Sequence, residues 1–363
     1  MAKQNQYFPQ SLPHPGETLI EKLEEMQMGS KEFAIRTGKP EKTISAILRK
    51  KSAITPDMAI LFEKVTRIPA HYWLNAQKNY DEYVARERHK EAIKEAIEWA
   101  ALFPIADMVE KGWIQAKNTA QEKVSELLTF FGIGNHNAWE NLYFNQHLKI
   151  AFRISLKDTQ EPHAISAWLR KGELQAAELS ADAYSGKILK EILPEIKKIM
   201  VKHPNCFFAQ LQAICLTAGV KVIHTPCIKK APISGCTRWI NDTPLIQLSG
   251  RYKRNDTFWF TFFHEIGHIL LHGKKDVFME VTGVQNDAGK EEEANNFAVK
   301  WTLSEEEEQE ITECSKGITN SVISQFAKKF NTHPAIIIGR LQHRKMLSYS
   351  FRSNFIKSVS FEA

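Results

Sequence analysis

The chain has 363 residues and few cysteines: five, none of them in a CxxC pair or other compact ligand spacing. An odd, scattered set excludes a disulfide scaffold and a cysteine-built zinc finger, and suits a reducing compartment. No apolar run approaches the ~20 residues of a membrane span, and Met1 to Gln10 lacks a signal-peptide pattern, so a cytoplasmic protein is expected. Repeats and low-complexity tracts are missing, which excludes solenoid and fibrous architectures. Neither sign of charge dominates: 48 Lys and Arg against 42 Asp and Glu leave +6. What remains, 43% hydrophobic and 25% charged, is the composition of a globular chain of two or three domains.

The most informative stretch is His264-Glu265-Ile266-Gly267-His268. Two imidazoles four residues apart share one helix face and suit one zinc ion, and the glutamate between them stands where a catalytic base is needed. Trp259, Phe262, Phe263, Ile266, Ile269 and Leu270 supply the apolar stripe of that helix, Asp256 a cap and Gly273 a stop. A third ligand is required. His272 extends the row but stands ~12 Å from His264 along the axis, so a supporting role is expected for it. The acidic helix Lys290 to Ala298 is the better source, with Glu291 and Asn295 on one face and Glu292 and Glu293 at other angles.

HEIGHILLH, followed by Glu291, Ala294-Asn295 and Phe297-Ala298, resembles the ImmA/IrrE family of zinc-dependent metallo-endopeptidases, whose pattern is HExxH and then ExxAN-x-FA. The resemblance implies that His264, His268 and Glu291 bind Zn2+, that Glu265 activates the attacking water, and that Asn295 lies behind the ligands. Glu292 and Glu293 remain fallback ligands. The family closes this helix with an apolar pair and proline, where this chain has Thr302-Leu303-Ser304. His224, His272 and Arg238 are all candidates to stabilise an oxyanion, and the sequence does not choose among them.

Gly219 to Ile223 and Thr243 to Ser249 are β-branched, apolar runs that predict strands beside the metal helix. An edge strand in such a fold pairs with an extended substrate, and Leu245, Gln247 and Ser249 are the candidate peptide dock. Ser234 to Trp239 is expected as a loop or further strand. Cys236 within it is a candidate thiolate for the open metal position, against the plainer reading of a small buried thiol.

At the other end, Ser30 to Thr37, Gly38, and Glu41 to Lys51 read as helix, tight turn, helix, with Phe33, Ala34, Ile44, Ile47 and Leu48 apolar at helical spacing. Ser30 is expected to cap the first helix and Pro40 to open the second. Residues 1–80 hold 12 Lys and Arg against 8 Asp and Glu, so this quarter carries +4 of the chain's +6. Ser30, Glu41, Lys42, Thr43, Ser45 and Arg49 are the expected contacts to double-stranded DNA. His14-Pro15-Gly16-Glu17, Phe33-Ala34, Thr37-Gly38, Thr43-Ile44-Ser45, Ile54-Thr55-Pro56 and Tyr72-Trp73-Leu74-Asn75 resemble the HigA-type antitoxins of the XRE group. That resemblance implies a five-helix operator-binding domain, a homodimer and a cognate toxin as partner.

The expected architecture is multidomain: an all-α helix-turn-helix N-terminal domain over residues 1–83, a helical bridging region over 84–200, an α+β zincin-like metallopeptidase domain over 201–346, and a poorly ordered tail over 347–363. Phe103-Pro104, Gly132 to Gly134 and Pro194 punctuate the middle region, and Glu305 to Glu308 is expected as a solvated helix start. Val322 to Leu341 imitates a second helix-turn-helix, but Ile336 to Ile338 is too apolar for a groove and predicts a packed helical pair. The function expected of the whole is a DNA-binding regulator whose peptidase cuts a protein substrate such as a repressor. The alternative is a purely DNA- and toxin-binding protein whose zincin-like domain is structural or sensory.

Overall fold

The computed structural model describes residues 11–143, 161–231, 233–275, 278–281, 287–313, 317–351 and 353–361. Met1 to Gln10 and Cys314 lie outside them. The chain divides into two compact units, Met1–Glu95 and Ala96–Ala363.

The described part of the first unit is wholly helical: α1 (Pro15–Glu25), α2 (Ser30–Thr37), α3 (Glu41–Leu48), α4 (Pro56–Thr66) and α5 (Ala70–Glu95). The sequence sets the helix ends. His14 Nδ1 accepts from the Gly16 amide at 2.9 Å, and Glu17 reaches back to the His14 amide, closing a capping box around Pro15. Burial, with help from Lys50, holds the His14 imidazole below its usual pKa, which keeps it neutral with a lone pair to offer. Gly38, at φ 64, ends α2 in the left-handed conformation that favours glycine. Ser30 is the first residue of α2 rather than its cap; Gly29 holds that place with no side-chain bond. Phe33, Phe62 and Trp73 meet edge to face in the core, with Leu19, Ile44 and Ile47 around them. Helix α5 runs on through residues 83 and 84, where a boundary was expected.

The second unit contains α6 (Ile97–Ala101), α7 (Ile105–Glu110), α8 (Ala120–Phe131), α9 (His136–Tyr143), α10 (Pro162–Ala177), α11 (Gly186–Lys202), α12 (Phe207–Thr217), β1 (Lys221–His224), β2 (Ile233–Ile240), β3 (Thr243–Leu248), α13 (Asn255–His272), β4 (Phe278–Val281), α14 (Ala288–Thr302), α15 (Glu305–Thr312), α16 (Asn320–Lys329) and α17 (Pro334–His343). Its strands form one mixed sheet in the order β1-β3-β2-β4, with β1 parallel to β3 and both other pairings antiparallel. On one face Val222, Trp239, Ile246 and Leu248 join a single core with α11, α12, α13 and α17. On the other face lies α10, whose Gly172 faces Gln247 so closely that a Cβ would stand 2.2 Å from that amide. Only glycine permits this approach.

Several expectations change at this level. Of the candidate peptide dock, Leu245 and Gln247 belong to β3, an interior strand with partners on both sides, and Ser249 directly follows it; all three residues are buried. Gln247 donates to the Trp168 carbonyl and Thr225 hydroxyl, and Ser249 Oγ donates to the Ile233 carbonyl. Their hydrogen-bonding capacity is spent within the fold, so they cannot receive a peptide. A β-branched apolar run cannot tell an interior strand from an edge strand. Among the described residues the edges are β1 and β4.

Much of the expected bridging region is integral to the second unit: Leu189, Leu193, Ile196 and Met200 of α11 share the core of α13, and Pro194 sits inside that helix. The expected tail is also built in. Phe355, Ile356 and Phe361 pack on the core, Asn255 N donates to Lys357 O at 3.1 Å, and Val359 N to Lys253 O at 3.1 Å. Glu308, expected in solvent, is buried between Arg340 and Arg344, which donate to it at 2.6 and 2.9 Å. Helices α16 and α17 pack as a pair, with Ile336, Ile337 and Ile338 buried. No described helix is long and apolar enough to cross a membrane.

Candidate metal centre and nucleic-acid interface

Helix α13 is buried along most of its length and carries His264, Glu265 and His268 into the interior. Arg254 is its N-cap; Asp256, expected there, lies inside the helix and holds Arg254 through two hydrogen bonds of 2.9 and 2.8 Å. Helix α14 crosses α13 at Gly267, where a Cβ would stand 3.2 Å from Ala294 Cα. The glycine therefore lets α14 approach closely, and Asp287 caps that helix through the Gly289 and Lys290 amides.

The result is a convergence. One ligand atom from each of His264, His268 and Glu291 lies within 4.8 Å of the others. His264 Nε2 is 2.9 Å from His268 Nε2 and 3.1 Å from Glu291 Oε2, and His268 Nε2 is 3.7 Å from Glu291 Oε1. The remaining ring nitrogens have partners of their own. His264 Nδ1 donates to Asn295 Oδ1 at 3.0 Å, and His268 Nδ1 is 3.1 Å from His272 Nδ1, whose Nε2 meets Glu293 Oε2 at 2.9 Å. With the outward Nδ1–H groups engaged, the inward Nε2 lone pairs face each other and a carboxylate. Such a set suits a divalent cation. Burial opposes charge on Glu291, but the neighbouring His264 and His268 imidazoles outweigh it and hold the carboxyl far below the usual range. Glu291, not Glu292 or Glu293, meets the His264 and His268 imidazoles.

Glu265 is 1% exposed, and its Oε1 lies under Gly235 of β2, where a Cβ would stand 2.4 Å away. Phe278 of β4 stacks on the His268 ring at 3.7 Å and 9°. Sequence reasoning missed both Gly235 and Phe278. The available signal was a glycine inside an apolar β-run, which marks a close approach.

Other candidates lie elsewhere. Arg238 points to the α10 face of the sheet, where it donates to Glu173 at 2.9 Å and to the Leu169 carbonyl at 2.6 Å. His224 stacks on Phe361 at 3.6 Å. Cys236, paired in register with Gln247, alternates with Gly235 and Thr237, which face α13; it therefore shares the α10 face with Arg238. Burial pushes its thiol up to about 12, so it stays protonated and is not a thiolate ligand.

In the first unit, Glu41 and Lys42 are exposed at the start of α3, Thr43 and Ser45 are half-buried, and Arg49 is exposed just past its end. Ser30 is half-buried at the start of α2. Ile44 and Ile47 anchor α3 from below, and Gly16 lets α1 approach so closely that a Cβ would stand 2.3 Å from the Ile47 carbonyl. Lys50 is held by Glu17 at 2.7 Å.

Comparison with known proteins places both regions. A family model described as the IrrE N-terminal-like domain matches residues 215–342. An uncharacterized HTH-type transcriptional regulator of Escherichia coli (strain K12), YddM, is 37% identical over 65 residues, 18% of this chain and 69% of that protein. Among solved structures, an addiction module antidote protein of a HigA family from Coxiella burnetii is 31% identical, covering 23% of this chain and 91% of that one at a TM-score of 0.22. The Pseudomonas aeruginosa antitoxin HigA, solved with the higBA promoter, is 28% identical and covers 23% and 94% at 0.22.

Proposed function

Because the chain belongs to the HTH-type transcriptional regulators and carries an IrrE N-terminal-like domain, we propose that it is a DNA-binding regulator whose second unit is a zinc-dependent endopeptidase. The observation that carries this reading is the meeting of His264, His268 and Glu291 around one point with the carboxylate of Glu265 buried on the same helix.

His264, His268 and Glu291 would hold the ion. Zinc bound there supplies Lewis acidity, which makes water nucleophilic near neutral pH and polarises a peptide carbonyl. Asn295 fixes the ring of His264, and His272 with Glu293 fixes that of His268. Glu265 accepts the proton of the attacking water and returns it to the leaving amine. The Gly235 backbone packs against Glu265 and restrains its carboxylate. An extended substrate would pair with β4, an edge strand among the described residues, whose Phe278 lies on His268.

Metal analysis of the purified full-length protein, combined with cleavage assays on candidate partner proteins, tests the reading. Near-stoichiometric zinc and Glu265-dependent cleavage are expected. A folded protein with no affinity for zinc would sink it. Within the site, Glu293→Gln is expected to weaken zinc binding by about 10–100-fold, read by competition with a chromogenic chelator. Wild-type affinity in that variant would remove the His272–Glu293 support from the account.

For the first unit, the half-exposed face of α3 with Lys42, Thr43 and Ser45 enters the major groove, and Lys42 and Arg49 neutralise phosphates. Lys42→Ala and Arg49→Ala should each weaken operator binding across sequences and lower the slope of affinity against salt by about one. Unchanged affinity at matched salt would overturn the assignment of this surface.

A further inference from the structure

At the N-terminal end of α13 a hollow is lined by Ser234, Arg251, Lys253, Thr257 and Thr261. We propose that it is a subsite that receives an acidic side chain of the bound polypeptide, with Arg251 and Lys253 reading its charge; this rests on the proteolytic reading above.

Its position is set by helix geometry. At 100° per residue, Thr257, Thr261, His264 and His268 fall within about 60° of one another, so the hollow continues the face that carries the metal ligands. Thr261 is only ~4.5 Å before His264 along the axis. Ser234 forms the facing wall, one residue before Gly235, which covers both Thr261 and Glu265. A side chain near the bond being cut therefore falls within reach of the hollow.

Its chemistry selects an anion. Arg251 and Lys253 are exposed, and among the described residues neither lies within ion-pair distance of a carboxylate. Arg254 beside them is different, since Asp256 already holds it. Thr257 adds a hydroxyl donor, which suits the acceptor-only oxygens of Asp or Glu. The rim is also prearranged: Lys253 N donates to Gly250 O at 2.9 Å, Val359 N to Lys253 O at 3.1 Å, and the Phe361 ring fills the space beside Gly250. The C-terminal segment thus holds the recognition loop in place, and little ordering is left to binding.

The test uses the full-length zinc-loaded Glu265→Gln protein to retain peptides from a proteome digest, with bound sequences read by mass spectrometry. A parallel cleavage profile is taken with the unsubstituted protein. Asp and Glu should be enriched among retained peptides, and Arg251→Glu with Lys253→Glu should reduce that enrichment by about 5-fold or more, as expected for loss of rim ion pairs. Arg251→Gln with Lys253→Gln should give a smaller fall in the same direction. Both proteins keep the same DNA-binding unit, so only the difference between them reports the hollow. No acidic bias, or a bias that survives the charge reversal, overturns the subsite. A bias that follows these two charges while the unsubstituted protein cleaves nothing supports the subsite and sinks the proteolytic reading.

Discussion

Glu265→Gln is expected to lower the rate of peptide cleavage by about 10²–10⁴-fold while zinc content stays at the wild-type level. Glutamine keeps the shape and most of the packing of the glutamate but cannot take a proton at neutral pH. The side chain is 1% exposed and the proposed ligands are three other residues, so neither the fold nor the ion should depend on its charge. The two readouts together decide the matter. Cleavage at the wild-type rate by this variant would show that Glu265 is not the base. Loss of zinc along with activity would show instead that Glu265 acts by supporting the metal.

Gly235→Ala should produce a related defect from the opposite strand, a loss on the order of 10²-fold with the metal retained. The added Cβ would stand 2.4 Å from Glu265 Oε1 and 2.8 Å from Thr261 Cγ2, closer than atoms pack. Thr261 is itself buried, so the carboxylate has to move. A displacement of that size takes the base off the line between water and substrate. Wild-type kcat in Gly235→Ala would mean that Glu265 has room to spare, and the restraint ascribed to the β2 backbone would fall.

Local features of the chain were legible in advance. His14, Pro15 and Glu17 announced the start of α1, Gly38 the end of α2, and the four-residue spacing of His264 and His268 a shared helix face. Each depends on residues within one or two turns. Errors arose where the answer lay across the fold. Asp256 is a good capping residue by type, yet Arg254 holds it in an ion pair. The apolar pattern of β3 is that of any buried strand, and only its neighbours β1 and β2 make it interior. The C-terminal segment looked like a tail because its apolar residues, Phe355, Ile356, Val359 and Phe361, have no helical period; their partners are on the loop before α13 and in the common core.

The sequence by itself determined the helix-turn-helix, the helix that carries His264 and His268 and the candidate ligand types, because capping, periodicity and i, i+4 spacing act over a few residues. Only the tertiary structure decided that Glu293 stands behind His272 and that Gly235 closes over Glu265. It also turned Arg238 and Cys236 away from the site. These outcomes depend on the angle at which α14 crosses α13 and on the side of the sheet each strand residue faces. Both are set by long-range packing, which no local stretch of the chain specifies.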